Sequence, residues 1–172
     1  GHVIEVDPGT YNENVNVNKS LTIQSTPGNE TSTEIRGLSA SLNVVNISVP
    51  DVHIRGLTVR NATGTNKAGI NIGAGAHRFN VTNATVSDCY YGIYVSNSDS
   101  GSLTAINITT IPNDGVYLSQ SWNTTISHAI ISGTGSNDNG GSVRKYGLRL
   151  ENSNNVSLKN SSITDNLGSG IV

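Results

Sequence analysis

The stretch YGIYVSNSDSGSLTAINITTIPNDGVYL, residues 91–118, begins and ends on one phrase: glycine, aliphatic, tyrosine, aliphatic. Outward from it the phrase recurs as Gly69-Ile70-Asn71-Ile72 before and Gly147-Leu148-Arg149-Leu150 after, and Gly170-Ile171 starts it again. The glycines are spaced 23, 23, 32 and 23 residues apart, which is one period carrying a nine-residue insertion in its third interval. Two aliphatic residues separated by one position make a short strand with one face buried. Self-similarity at such a period marks a repeat architecture, in which each unit buries its apolar face against its neighbours.

Two further pairs recur within each period. One set reads Phe79/Val81, Leu103/Ala105, Thr124/Ile126 and Val156/Leu158; the other reads Ala84/Val86, Ile108/Thr110, Ala129/Ile131 and Ser161/Ile163. The second interval fits only with a one-residue slip. Earlier in the chain the scheme is looser, with Ile4/Val6, Val15/Val17 and Leu21/Ile23, then Val45/Ile47, Val52/Ile54 and Leu57/Val59. No helical stripe persists for ten residues. The reading is all-β: a right-handed, single-stranded parallel β-helix of about six coils, each of three short strands. It forms one domain over residues 1–172, uncapped at both ends or part of a longer chain, since a bare solenoid end exposes strand edges and core. Uncapped ends lead to the expectation of end-to-end self-association, which for identical chains does not close and gives filaments.

Composition narrows the function. Ten Lys and Arg against 12 Asp and Glu give a net charge of −2, too small and too mixed for a nucleic-acid binder or an anionic-membrane ligand. No run approaches 18 apolar residues, so no membrane insertion is expected within this segment. Asn (23), Ser (22) and Thr (17) exceed a third of the chain, yet the Val, Ile and Leu alternation is a pattern disordered segments lack. A single cysteine, Cys89, excludes an internal disulfide, and four scattered histidines with no methionine give no metal set. Low charge, polar faces and ten N-x-S/T sequons lead to the expectation of an extracellular or cell-surface glycoprotein, with Asn29 and Asn61 as glycosylation candidates.

The segments VIEVDPGTYNENVNVNKSLTIQS (3–25) and TEIRGLSASLNVVNISVPDVHIRGLTVRNATG (33–64) resemble right-handed parallel β-helix proteins of the pectin-lyase-like superfamily. The resemblance covers essentially the whole chain and points to the carbohydrate-binding and sugar-hydrolase repeat group of archaeal and bacterial surface proteins. That group is related to a periplasmic copper-processing accessory family. It implies an inward asparagine ladder at a coil corner, assigned to Asn83, Asn107 and Asn160, with His128 at the equivalent place. It also implies that enzymes on this fold hold a polysaccharide along an outer sheet face with carboxylates, Arg or Lys, and sometimes Ca²⁺. Of the polygalacturonase-like motifs only Asn113-Asp114-Gly115 is present, and no paired carboxylates emerge from spacing, so no catalytic residue is assigned.

The outward positions of the glycine-led strand carry the binding expectation. Tyr94, Tyr117 and Arg149 follow one another on consecutive coils, Glu151 borders Arg149, and Trp122 lies just beyond the strand of Tyr117. Stacked aromatics beside an Arg/Glu pair form a platform on which the C–H face of a sugar can pack. The insertion Gly133–Lys145 could wall that platform, and its Asn137-Asp138-Asn139 run offers oxygen ligands for Ca²⁺; no other cofactor is expected. The sequence thus reads as a structural or adhesive surface module contacting a polysaccharide or cell-surface glycan, with a polysaccharide lyase or glycoside hydrolase as the alternative.

Overall fold

The computed structural model describes residues 1–135 and 145–172, and the Asn137–Asn139 run expected to offer Ca²⁺ ligands lies outside them. Six complete coils follow one another. They are β1 (His2–Val6), β2 (Gly9–Asn12) and β3 (Val15–Val17); then β4 (Leu21–Ser25), β5 (Thr33–Arg36) and β6 (Val45–Ile47). The third and fourth are β7 (His53–Arg55), β8 (Thr58–Arg60), β9 (Ala68–Ile72) and β10 (Asn80–Thr82), β11 (Thr85–Ser87), β12 (Tyr91–Ser96). The fifth and sixth are β13 (Ser102–Thr104), β14 (Asn107–Thr109), β15 (Val116–Ser119) and β16 (Thr125–Ser127), β17 (Ile130–Ser132), β18 (Leu148–Glu151). A seventh coil contributes β19 (Ser157–Lys159), β20 (Ser162–Thr164) and a bridge from Ile171 to Leu148.

Every third strand pairs in parallel, giving three sheets that run the length of a right-handed β-helix. The first holds β1 through β19, the second β2 through β20, and the third β3 through β18. Period-two alternation sends Ile54, Val81, Leu103 and Ile126 inward from the first sheet and Val59, Val86, Ile108 and Ile131 inward from the second, all at most 1% exposed. The third sheet adds pairs such as Ile70/Ile72 and Ile93/Val95. Each such side chain, taken from water into this shaft, contributes roughly 1.5–3 kcal/mol.

The recurrent glycine starts the third-sheet strands from β9 on. A Cβ built on Gly92 would sit 2.4 Å from the Gly115 carbonyl oxygen of the next coil and 2.8 Å from Ile108 Cγ2. Gly69, Gly115 and Gly147 meet the equivalent pair of neighbours, so the period first seen in the sequence is a close approach of backbone to core.

Several strand expectations shift. In the fifth coil, Ile106 and Ile108 are the inward pair, and Ala105 and Thr110 take left-handed backbone (φ 52° and 55°) at two corners. Strand β13 follows β10 by 22 residues and β16 follows β13 by 23, because the connection from the second sheet to the third is one residue shorter in the fourth coil (Val86 to Ile93) than in the fifth (Ile108 to Val116). In the first coils, β2 and β5 carry no aliphatic pair and are additional strands, so Leu21/Ile23 opens the second coil instead of closing the first.

The same shift corrects the asparagine ladder. The corner between the first and second sheets stacks Gly56, Asn83, Ala105, His128 and Asn160, all left-handed with φ from 48° to 65°. Asn107 is outside this column: it begins β14 and is exposed. The column also faces solvent, with Asn83, His128 and Asn160 exposed and a 3.5 Å contact between Asn160 Nδ2 and His128 Nε2. Asparagine is used there for its tolerance of left-handed backbone. The inward polar rungs are serines, Ser98 and Ser121, joined by a backbone-to-Oγ bond of 3.4 Å and continued to Ser153 Oγ at 3.1 Å.

Candidate functional site

The third sheet presents one outward column in strict register: Asn16, Asn46, Asn71, Tyr94, Tyr117 and Arg149. The asparagines form an amide ladder on the outer face, Asn46 Nδ2 donating to Asn16 Oδ1 (3.2 Å) and Asn71 Nδ2 to Asn46 Oδ1 (2.8 Å). Above them the rings of Tyr94 and Tyr117 stack with centroids 4.9 Å apart and planes 29° from parallel. Parallel pairing of β12 with β15 sets this distance, since neighbouring strands lie about 4.8 Å apart.

Arg149, on the next strand, lays its guanidinium 4.4 Å from the Tyr117 centroid and donates from Nη2 to Glu151 Oε2 at 2.7 Å. The Tyr117 hydroxyl donates to the same carboxylate oxygen. Burial, then the bond to Glu151, raises the Tyr117 phenol above its usual range. A third tyrosine, Tyr91, is only 8% exposed, and its ring lies 5.6 Å from both Tyr94 and Tyr117. Burial pushes its phenol up to about 12. The aromatic layer is therefore two rings thick in depth as well as in height.

Asp114 closes the cluster from beneath. It is 1% exposed; Oδ1 accepts the Tyr146 backbone N–H at 2.8 Å, and Oδ2 lies 3.7 Å from Arg149 Nη1 with no hydrogen-bond partner among the described residues. Burial raises its pKa, while the Tyr146 N–H and the charge of Arg149 oppose the rise. An Asp114–Arg149–Glu151 chain thus borders the tyrosine stack, bringing together carboxylates that lie 37 residues apart in the chain.

The structure joins Tyr94, Tyr117 and Arg149 and leaves Trp122 apart. Trp122 occupies the turn between β15 and β16, 41% exposed, its backbone N–H held by Asp99 Oδ1 at 2.9 Å, and no ring contact joins it to a tyrosine among the described residues. Tyr91 and Asp114 are the additions. Each sits two positions before the first inward aliphatic of its strand, a recurrent place that the outward alternation does not include.

Asn29 and Asn61 are half-buried, and their amides are engaged, Asn29 Nδ2 with Thr26 Oγ1 (3.0 Å) and Asn61 Nδ2 with the Gly37 carbonyl (2.8 Å). Among the described residues no three His, Cys, Asp or Glu side chains gather as a metal set.

The family described as right handed beta helix region matches residues 68–172. No curated protein matches the sequence. Among solved structures, the catalytic domain of an α-1,3-glucanase, determined with tetrasaccharides, superposes with a TM-score of 0.69 at 18% identity, over 92% of this chain and 34% of that one. Pectate lyase Pel9A gives 0.56 at 14% identity over 99% and 64%, and the pectin methylesterase of Aspergillus niger 0.53 at 15% identity over 93% and 76%. The chain spans about a third of the glucanase domain's length. At these identities the likeness is one of fold.

Proposed function

The chain belongs to the right-handed β-helix family, and from that premise we propose that it is a polysaccharide-contacting module of a surface protein, structural or adhesive in role. The contact is made by the outer face of the third sheet through Tyr94, Tyr117 and Arg149. One observation carries this reading: two tyrosine rings stacked 4.9 Å apart and 29° from parallel, bordered by an Arg149–Glu151 pair, offer apolar ring surface edged by hydrogen-bonding groups. The fold neighbours support it, since an α-1,3-glucanase and a pectin methylesterase were solved with bound tetra- and hexasaccharides. Extracellular placement and end-to-end association belong to the same proposal.

The enzymatic alternative gains one specific observation. Asp114 and Glu151 flank a single arginine at the platform, and burial raises the pKa of Asp114, the direction a general acid requires. Incubation with a polysaccharide panel, reading bound protein and released oligosaccharide on the same samples, separates the two. Binding that is lost in Tyr117→Ala, without product, is the expected result. Release of new reducing ends or unsaturated products removes the non-catalytic reading, and binding unchanged in Tyr117→Ala removes the platform.

A further inference from the structure

The outer face of the third sheet differs from the other two in charge. On the first sheet, His53, Arg55 and Lys159 point outward and exposed; on the second, exposed Arg36 and half-buried Glu34 and Arg60 point outward, with Arg60 Nε 3.9 Å from the one Glu34 carboxylate that Arg36 already engages at 3.0 Å. The third sheet begins with three amides and continues with two phenols, so the first five positions of its outward column carry no charge. The parallel column through Ser96 and Ser119 is neutral up to Glu151. Six coils of this track extend about 24 Å along the solenoid axis.

The charge that the column does carry is compensated. Arg149 lies between Glu151 (2.7 Å) and Asp114 (3.7 Å), with its flat face on Tyr117. Lys145 adds a cation felt by Asp114, so among the described residues two carboxylates stand against two cations around the platform. A uronate or sulfate arriving here would meet Glu151 as soon as Arg149, and it would have to displace a bond already made. A neutral sugar needs none of this: ring C–H groups lie on Tyr94 and Tyr117, and hydroxyls find the Asn71 amide, the Arg149 N–H groups and the Glu151 carboxylate.

We propose that the third-sheet face takes an uncharged glycan, with Arg149 acting there as a fixed hydrogen-bond donor and ring cover instead of an anion-pairing cation. This rests on the platform reading given above and adds the substrate class. Acidic polymers, where they bind, are drawn to the arginines of the second sheet or the His53 and Arg55 region of the first, away from the tyrosines.

The test uses neutral glucan, mannan and xylan together with a carboxymethylated derivative of each, measured by calorimetry or affinity electrophoresis at low and high salt. At least one neutral polymer should bind, should lose tenfold or more affinity in Tyr117→Ala and in Tyr94→Ala, and should outbind its carboxymethylated derivative several-fold. Circular dichroism and melting of both variants establish that they fold. Tighter, tyrosine-dependent binding of the carboxymethylated form overturns the neutral-glycan inference and leaves the platform standing. Tyrosine-dependent binding of neither form removes the platform itself. Glu151→Gln uncovers Arg149 and should raise affinity for the carboxymethylated polymer several-fold at low salt, an effect lost at high salt. No gain there contradicts the compensation on which the inference rests.

Discussion

Replacing Gly92 by alanine adds one methyl group at the tightest point of the coil. That methyl would lie 2.4 Å from the Gly115 carbonyl oxygen and 2.8 Å from Ile108 Cγ2, both well inside contact distance. The carbonyl cannot retreat freely, because it accepts the Ile93 N–H at 2.9 Å, a bond of the third-sheet ladder. Nor can Ile108, which is 0% exposed and enclosed by the shaft. Overpacking a core costs about 1–3 kcal/mol, and weakening the ladder bond adds roughly 1 kcal/mol. The lower chain entropy of alanine in the unfolded state returns about 0.4–1 kcal/mol, leaving a net loss of about 2 kcal/mol. For a domain of this size that is a fall in melting temperature of roughly 4–8 °C.

Gly170 is the internal control, since it belongs to the same column but its Cβ would rest at 3.5 Å from Ile163 Cγ2 and 3.7 Å from the Ile163 carbonyl. Gly170→Ala should therefore melt within about 2 °C of the parent or slightly above it, because only the unfolded-chain entropy changes. Thermal melting and urea unfolding followed by far-ultraviolet circular dichroism measure both variants. Equal melting of Gly92→Ala and the parent, or equal losses in the two variants, would refute the view that the repeat glycine is there for close approach.

Thr110 holds φ 55° although it is β-branched, in a column whose other members are Asn61, Asp88, Gly133 and Asp165. Thr110→Asn should stabilise by about 1 kcal/mol, since left-handed backbone costs an ordinary residue roughly 1–2 kcal/mol. Melting should rise by about 2–4 °C, and a fall would show that the Thr110 side chain is needed where it stands. For Asp114 the folded pKa is raised above 3.8, so the protonated carboxyl contributes stability below 3.8 that is lost as pH rises through the folded value. Asp114→Asn removes that loss: relative to the parent, its urea midpoint should improve between pH 3.5 and pH 7. A constant difference between the two proteins across that range contradicts a carboxyl destabilised by burial.

Strands with two inward aliphatics were legible because alternation and period agree, as in Ile70/Ile72 and Ile93/Val95. Strands with one were not. In β2 the inward member is Tyr11 among Gly9, Thr10 and Asn12, residues that read as a turn, and in β5 it is Ile35 alone. The fifth coil misled for a different reason. Leu103/Ala105 and Ile108/Thr110 alternate like strands, yet the second member of each is a corner, and the 22-residue interval comes from a second-to-third-sheet connection one residue shorter in the fourth coil than in the fifth. Asn107 followed that error: counting 22 residues from Asn83 reaches Ala105. The platform itself was legible because outward residues of one strand set stack whatever the coil lengths, whereas Tyr91 was not. Alternation puts Tyr91 on the side of Ile93, whereas its ring rests against Tyr94 and Tyr117.

Asp114 shows how a site can be separated from the scaffold that holds it. Asn43 stands two positions before Val45, as Asp114 stands two before Val116, and Val45 and Val116 occupy the same register in the third sheet. Asn43 Oδ1 accepts the Ala68 backbone N–H at 2.9 Å, just as Asp114 Oδ1 accepts that of Tyr146 at 2.8 Å. The rung needs one acceptor oxygen, and an amide supplies it without burying a charge. A carboxyl at 114 brings a second oxygen that makes no hydrogen bond among the described residues, is shielded from water and lies 3.7 Å from Arg149 Nη1. Burial of such a group is unfavourable for folding, so its presence in the coil that carries Tyr117, and not in the coil that carries the asparagine ladder, is explained by what Arg149 does on the outer face. The guanidinium over Tyr117 has a carboxyl group on each side, Glu151 at 2.7 Å and Asp114, the inner one, at 3.7 Å.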